Sequence, residues 1–158
     1  MQGLGDVIVQ RFSGSQLADA TSMRSAARMV AEALAAGRRC AVVVGALPRT
    51  ASEVTAFVEA IGADVSARER AQLSACGAAL SAPLFAMCLH SLGVRAASVQ
   101  SAELTARGGA SLDVHRLRGL LDERVVPVVS ALPSEAQVGT VDCAADLTAI
   151  TLASTLAA

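Results

Sequence analysis

The sequence contains no lysine, no tryptophan and no tyrosine; its 13 basic residues are all arginine and its only aromatic-ring side chains besides two histidines are three phenylalanines. Without lysine there is no amine for a Schiff base, no P-loop lysine and no lysine to assist phosphoryl transfer. Few large aromatics and abundant alanine mean many close helix contacts and few large anchors. A net charge of −1 leaves no basic footprint for nucleic acid or an anionic membrane surface, so neither partner is expected. No apolar run approaches the roughly 18 residues of a membrane span, and the N-terminal MQGLGDVIVQRF lacks the charged and long apolar regions of a leader, so the chain reads as soluble, unprocessed and cytoplasmic. Cys40, Cys76, Cys88 and Cys143 match no zinc spacing, and two histidines cannot complete a site. Neither a metal nor any other cofactor is expected, and the thiols read as structural cysteines of a reducing cytosol.

What is present is an apolar chain of one-domain size: 158 residues, 53% hydrophobic and 17% charged, favouring a well-packed or oligomeric protein over disorder. Val7–Gln10 is a short β-branched run, followed by the turn-like Ser13-Gly14-Ser15 and a helical stretch from Leu17 to Ala36 closed by Gly37. Cys40–Val44 reads as a buried parallel strand, with Gly45-Ala46-Leu47-Pro48 as the loop at its end. Capping boxes at Thr50/Glu53 and Ser66/Glu69 open helices running to Gly62 and Gly93, the second kinked at Pro83. Val94–Val99 is a weaker strand, Arg107-Gly108-Gly109 a loop, and Val114–Asp122 a short helix. Val125–Val129 is a second apolar strand, in which Pro127 requires a backbone position with no hydrogen bond to donate. Ser134–Val141 reads as an irregular hairpin or loop and Ala144–Leu156 as a last apolar helix. Strands alternating with helices predict an α/β fold, a three-layer αβα sandwich with a mainly parallel sheet and ligands at the carboxyl ends of the strands.

The order of these segments, from Arg11-Phe12-Ser13-Gly14 through Val42–Leu47, Gly77-Ala78 and His90-Ser91-Leu92-Gly93-Val94 to Val126–Val129 and Asp146-Leu147-Thr148-Ala149, resembles the N-terminal part of aspartokinases, in the amino-acid-kinase family. The resemblance covers nearly the whole chain and implies the acceptor-binding half of a kinase. It places residues 1–158 as a single aspartokinase-like domain, without the nucleotide lobe and ACT domains of many relatives.

At each position where the resemblance implies chemistry, the residue differs. The family's KFGGTSV loop is here Arg11-Phe12-Ser13-Gly14-Ser15-Gln16-Leu17: arginine keeps the charge but not the compact ammonium, and Ser13 adds a Cβ where backbone N–H groups would meet phosphate. A VSAMG-type turn becomes Gly45-Ala46-Leu47-Pro48. The glutamate expected to hold the substrate's amino group is Ala78, and in the family's GRGGSDTTA segment the arginine position carries Asp142, Cys143 follows it, and Asp146 alone stays in register. Arg11 also reads as purely structural, and Asp146 as a helix-terminus charge.

The resemblance implies that Arg11, Ser13, Arg49, Cys76, Ala78, Asp142, Cys143 and Asp146 surround the former acceptor pocket. In that pocket Asp142 and Asp146 would serve as acid or base and Arg11 or Arg49 would stabilise negative charge, while Ser13, Arg49, Cys76 and Ala78 line the substrate. Cys143 or Cys76 could serve as a thiolate nucleophile beside arginine or a helix N-terminus. His90 and His115 read as structural. The function expected is a non-kinase binding or transforming a small, largely apolar substrate as a cofactor-free cyclase, isomerase or lyase; the alternative is a non-catalytic dimerising or regulatory subunit. A homodimer is expected in either case.

Overall fold

The computed structural model describes residues 7–62, 66–104, 114–131 and 141–157. Four strands, β1 (Val7–Phe12), β2 (Arg39–Val44), β3 (Ala96–Val99) and β4 (Val126–Ser130), form one sheet in the order β1-β2-β4-β3, every pairing parallel. Between them run α1 (Ala20–Ala35), α2 (Pro48–Ile61), α3 (Ala67–Ser91), α4 (Ser101–Leu104) and α5 (His115–Asp122), and α6 (Val141–Ala157) follows β4.

The alternation of side chains along β2 builds two cores. Cys40, Val42 and Val44 pack with Phe12, Phe85, Leu89, Met23 and Val30 under α1 and α3, whereas Ala41 and Val43 pack with Leu117, Leu121, Leu152 and Leu156 under α5 and α6. A strand buried on both faces needs apolar residues at every position, and the run from Cys40 to Val44 supplies them. The result is the αβα sandwich that the sequence predicts.

Several boundaries fall elsewhere than the sequence suggests. The helix expected from Leu17 starts instead at Ala20, after a 3-10 turn over Gly14–Leu17, because Asp19 takes an extended backbone and its carboxylate accepts from the Ser22 N–H at 2.8 Å. α2 starts at Pro48 rather than at a Thr50 cap, since proline's fixed φ and missing N–H suit the first helical position. Ser66 does cap α3, yet its side chain makes no capping hydrogen bond.

Pro127 lies in a central strand. Val126 N donates to Arg95 O, beside β3, and Ala131 N donates to Val44 O, so with a period of two the odd-numbered residues of β4 address β2. The β2–β4 ladder opens at Val42↔Val128, one residue beyond Pro127. The missing donor therefore falls just outside the paired segment. The Arg107-Gly108-Gly109 loop and the segment before Val141 lie outside the described residues.

Candidate functional site

The carboxyl ends of β1, β2 and β4 finish level. Gly45 N donates to Phe12 O and Ala131 N to Val44 O, both at 3.0 Å, so the pairing continues one residue past each strand. Close approach then demands small groups. A Cβ on Gly45 would stand 3.2 Å from the Ser13 Cβ and 3.9 Å from that of Ala145, and a Cβ on Gly77 would stand 3.1 Å from that of Ala46. Glycine at both positions lets the first loop, the second loop, α3 and α6 meet at the strand ends.

One ion pair occupies this end of the sheet. Arg11 projects from β1 toward α6, and its Nε lies 2.7 Å from an Asp146 carboxylate oxygen. Alternation along β1 explains the direction: Val7 and Val9 pack into the α5–α6 core, and Arg11 shares their face. On the other side of the backbone the loop is tied down locally, the Ser13 N–H donating to Gln16 Oε1 at 3.3 Å and Gln16 N donating back to Ser13 O at 3.2 Å. Ser13 itself is buried against Gly45.

Of the residues singled out in the sequence, the structure brings Arg11, Ser13 and Asp146 together. Arg49 stands apart, its side chain 87% exposed and paired at 2.9 Å with Glu53 one turn along α2, because the helix starts early enough to set the two residues on one solvent face. Cys76 is exposed on α3. Ala78 is a core residue at 3% exposure, packed in the cluster that holds Ala41 and Val43, so its methyl is enclosed and does not line a cleft. Asp142 and Cys143 belong to the first turn of α6; their side chains lie outside the described residues. His90 Nε2 pairs with Ala96 O at 2.9 Å at the opposite end of the sheet. There it borders a shallow hollow of about 400 Å³ with Arg95, whose guanidinium donates to Glu123 O.

Sequence reasoning missed Gln100. Pro83 has no N–H for the carbonyl four residues back, Ala79 O, and the Gln100 Nε2 donates to that oxygen at 3.4 Å. The same side chain accepts from Ser130 Oγ at 3.3 Å, linking α3 to the end of β4. Pro83 signals an orphaned carbonyl, but nothing local says which residue will satisfy it. Among the described residues no group of three or more His, Cys, Asp or Glu could hold a metal ion, and no helix is long and apolar enough to cross a membrane.

A parallel sheet between two helical layers, with a cation–carboxylate pair at its strand ends, defines the class as a three-layer α/β sandwich. The model of the amino acid kinase family matches residues 6–158, and the chain belongs to that family. It is 30% identical to an aspartokinase of Geobacillus stearothermophilus over 164 aligned residues, covering 96% of this chain and 40% of that protein. It is 32% identical to an aspartokinase of Mycolicibacterium smegmatis, covering 83% of this chain and 33% of the relative. The crystal structure of aspartate kinase from Synechocystis superposes on 97% of the chain and 27% of that protein, with a TM-score of 0.81 at 23% identity, a likeness of fold. The chain thus spans a third to two fifths of the length of the curated relatives it matches.

Proposed function

We propose that the chain is an aspartokinase homologue that does not transfer phosphate and that binds or transforms a small, largely apolar molecule, without a cofactor, at the carboxyl ends of β1, β2 and β4. The observation that carries this reading is the state of the first loop. Phosphate held by a loop requires free backbone N–H groups and room for oxygen atoms to approach them. Here the Ser13 N–H is taken by Gln16 and the Ser13 Cβ is packed on Gly45. Arg11 faces Asp146, so its charge is already met by a carboxylate. Ala78, where a substrate-holding glutamate is expected, is in the core. The residues packed at these strand ends, Gly45, Ala46 and Ala145, are small and apolar, a composition that favours a ligand of the same character oriented by one polar contact. Asp146 would act as acid or base, with Asp142 as the alternative, and Arg11 would stabilise developing negative charge.

Calorimetry with ATP and Mg²⁺, and a phosphorylation assay with aspartate against a no-enzyme control, should both be blank; a signal in either overturns the proposal. Ligands from a thermal-shift screen of small apolar acids and alcohols should lose binding in Asp146→Asn, and retained binding would remove Asp146 from the site.

A second reading, a non-catalytic subunit that associates through a helix face, is favoured by a different observation. From Ala71 to Ser91 α3 contains no Asp, Glu, Lys or Arg, although Leu73, Leu80, Leu84 and Met87 in that stretch are exposed.

A further inference from the structure

The turn out of α5 is built unlike those that close the helices before it. α1, α2 and α3 each end on a glycine of positive φ, Gly37, Gly62 and Gly93, whereas the chain leaves α5 through Arg124 at φ 57°. The Arg124 N–H donates to Leu121 O and the Val125 N–H to Leu120 O, so the left-handed turn is complete although its side chain disfavours it. Glycine would remove that strain, and an arginine held there against it is the first sign of a use for the side chain.

Two more arginines stand level with it. The pairings Val42↔Val128 and Ala96↔Val126, counted back, set Arg38 opposite Arg124 and Arg95 opposite Val125, so the amino ends of β2, β4 and β3 each carry one. Neighbouring strands lie about 4.8 Å apart, which brings the three backbones within roughly 10 Å, a Debye length at physiological salt, and their fields add. All three are exposed, and none is paired with a carboxylate among the described residues. Of the two acids in the same turn, Asp122 is taken by Arg39 at 3.0 Å, which leaves Glu123 alone against three cations. Beside them lies the hollow of about 400 Å³, lined by His90, Gly93, Val94, Arg95, Ala96 and Val125 and within the roughly 300–1,000 Å³ of small-molecule sites. Its polar groups are held in place. Glu123 O accepts from the Arg95 guanidinium at 3.0 Å, and because Ala96 O can only accept, His90 carries its proton on Nε2 and presents Nδ1 as the remaining ring nitrogen.

We propose that this hollow at the amino ends of β3 and β4 binds a small molecule with an oxyanion head, a phosphate or a carboxylate, on a short apolar body. Arg95 and Arg124 meet the head, since guanidinium groups match the spacing of its oxygens, and Arg38 adds to the field. Val94, Ala96 and Val125 take the body. The site lies at the opposite end of the sheet from Arg11 and Asp146 and is independent of what binds there.

Calorimetry on the whole chain at low salt, with monobutyl phosphate, butyrate and uncharged butyramide as probes, tests the site. The phosphate should bind with a millimolar or tighter dissociation constant, butyrate more weakly in keeping with its single charge, and butyramide not at all. Amide shifts in heteronuclear NMR should centre on residues 90–96 and 122–126. Arg124→Gly should weaken the phosphate by about 10-fold or more and yet melt no lower than the wild type, because glycine suits the left-handed turn. A merely structural arginine would show only the second effect. Arg95→Gln should weaken the phosphate likewise, and if it fails to fold, Arg124→Gly carries the test. Arg68→Gln, at the distant start of α3, should bind as the wild type does. Binding of neither anion, equal binding of butyramide, or anion binding that survives Arg124→Gly overturns the site.

Discussion

Asp19 shows how one side chain sets both a boundary and a pH dependence. Its carboxylate is held below the usual aspartate range by the hydrogen bonds it accepts from Ser22, the backbone N–H first. A carboxyl whose folded pKa is depressed stabilises the protein above its unfolded pKa, about 3.9, and the contribution disappears as pH falls through the folded value. Asp19→Ala should therefore melt below the wild type at pH 7, with the gap closing below about pH 4 as the wild-type carboxyl protonates; melting curves over that range check it. The thiols divide by the same kind of argument. Burial pushes the Cys40 and Cys88 thiols up, which lowers their thiolate fraction, whereas Cys76 is exposed. A maleimide at pH 8 should modify Cys76 before Cys88, and Cys40 only on unfolding. Raising the pH should speed Cys88, and peptide mass mapping reads the order.

Among the elements, α3 depends on a hydrogen bond from outside itself. Gln100→Ala removes the donor to Ala79 O and the acceptor for Ser130 Oγ, and should cost about 1–2 kcal/mol. Pro83→Ala restores a main-chain N–H to the same carbonyl, so in the double variant the cost should shrink, and urea titrations of the four proteins measure that coupling. Most elements were legible: the β-branched runs and the helical stretches place the four strands and α1, α2, α3, α5 and α6 to within a few positions, whereas α4 left no sign in the sequence, and Pro48, in the expected loop, opens α2. What was not legible were contacts such as Gln100 to Ala79 and Ser130, which join residues far apart in the chain and leave no periodic trace. The pairing of Arg11 with Asp146 was visible only through family resemblance, since no spacing connects a strand near one end to a helix near the other. The enclosure of Ala78 and the solvent position of Arg49 follow from where α3 and α2 turn their faces, and alanine-rich helices give a weak signal of which face is which.

For the molecule as a whole, a core of alanine and valine concentrates its large contacts in a few places. Phe12 and Phe85 stack with ring centroids 5.1 Å apart, joining the end of β1 to α3, and Phe85 is fully buried. Phe85→Ala should cost about 3–5 kcal/mol, a large share of the 5–15 kcal/mol typical of a domain, and the urea midpoint should fall accordingly. The strand order has a consequence for how the molecule assembles. β1, α1 and β2 are consecutive and can pair through a short loop closure, but β4 takes the place between β2 and β3 only after more than half of the chain has followed β2. Its pairing with β2 is the long-range contact of the sheet, and the Arg39–Asp122 ion pair spans the same long separation. Closing that distance costs only about 4 kcal/mol of loop entropy, since the cost grows with the logarithm of loop length, but it makes this pairing the slowest of the sheet. Until β4 pairs with β2, each of the two strands carries an open sheet edge that another molecule could occupy.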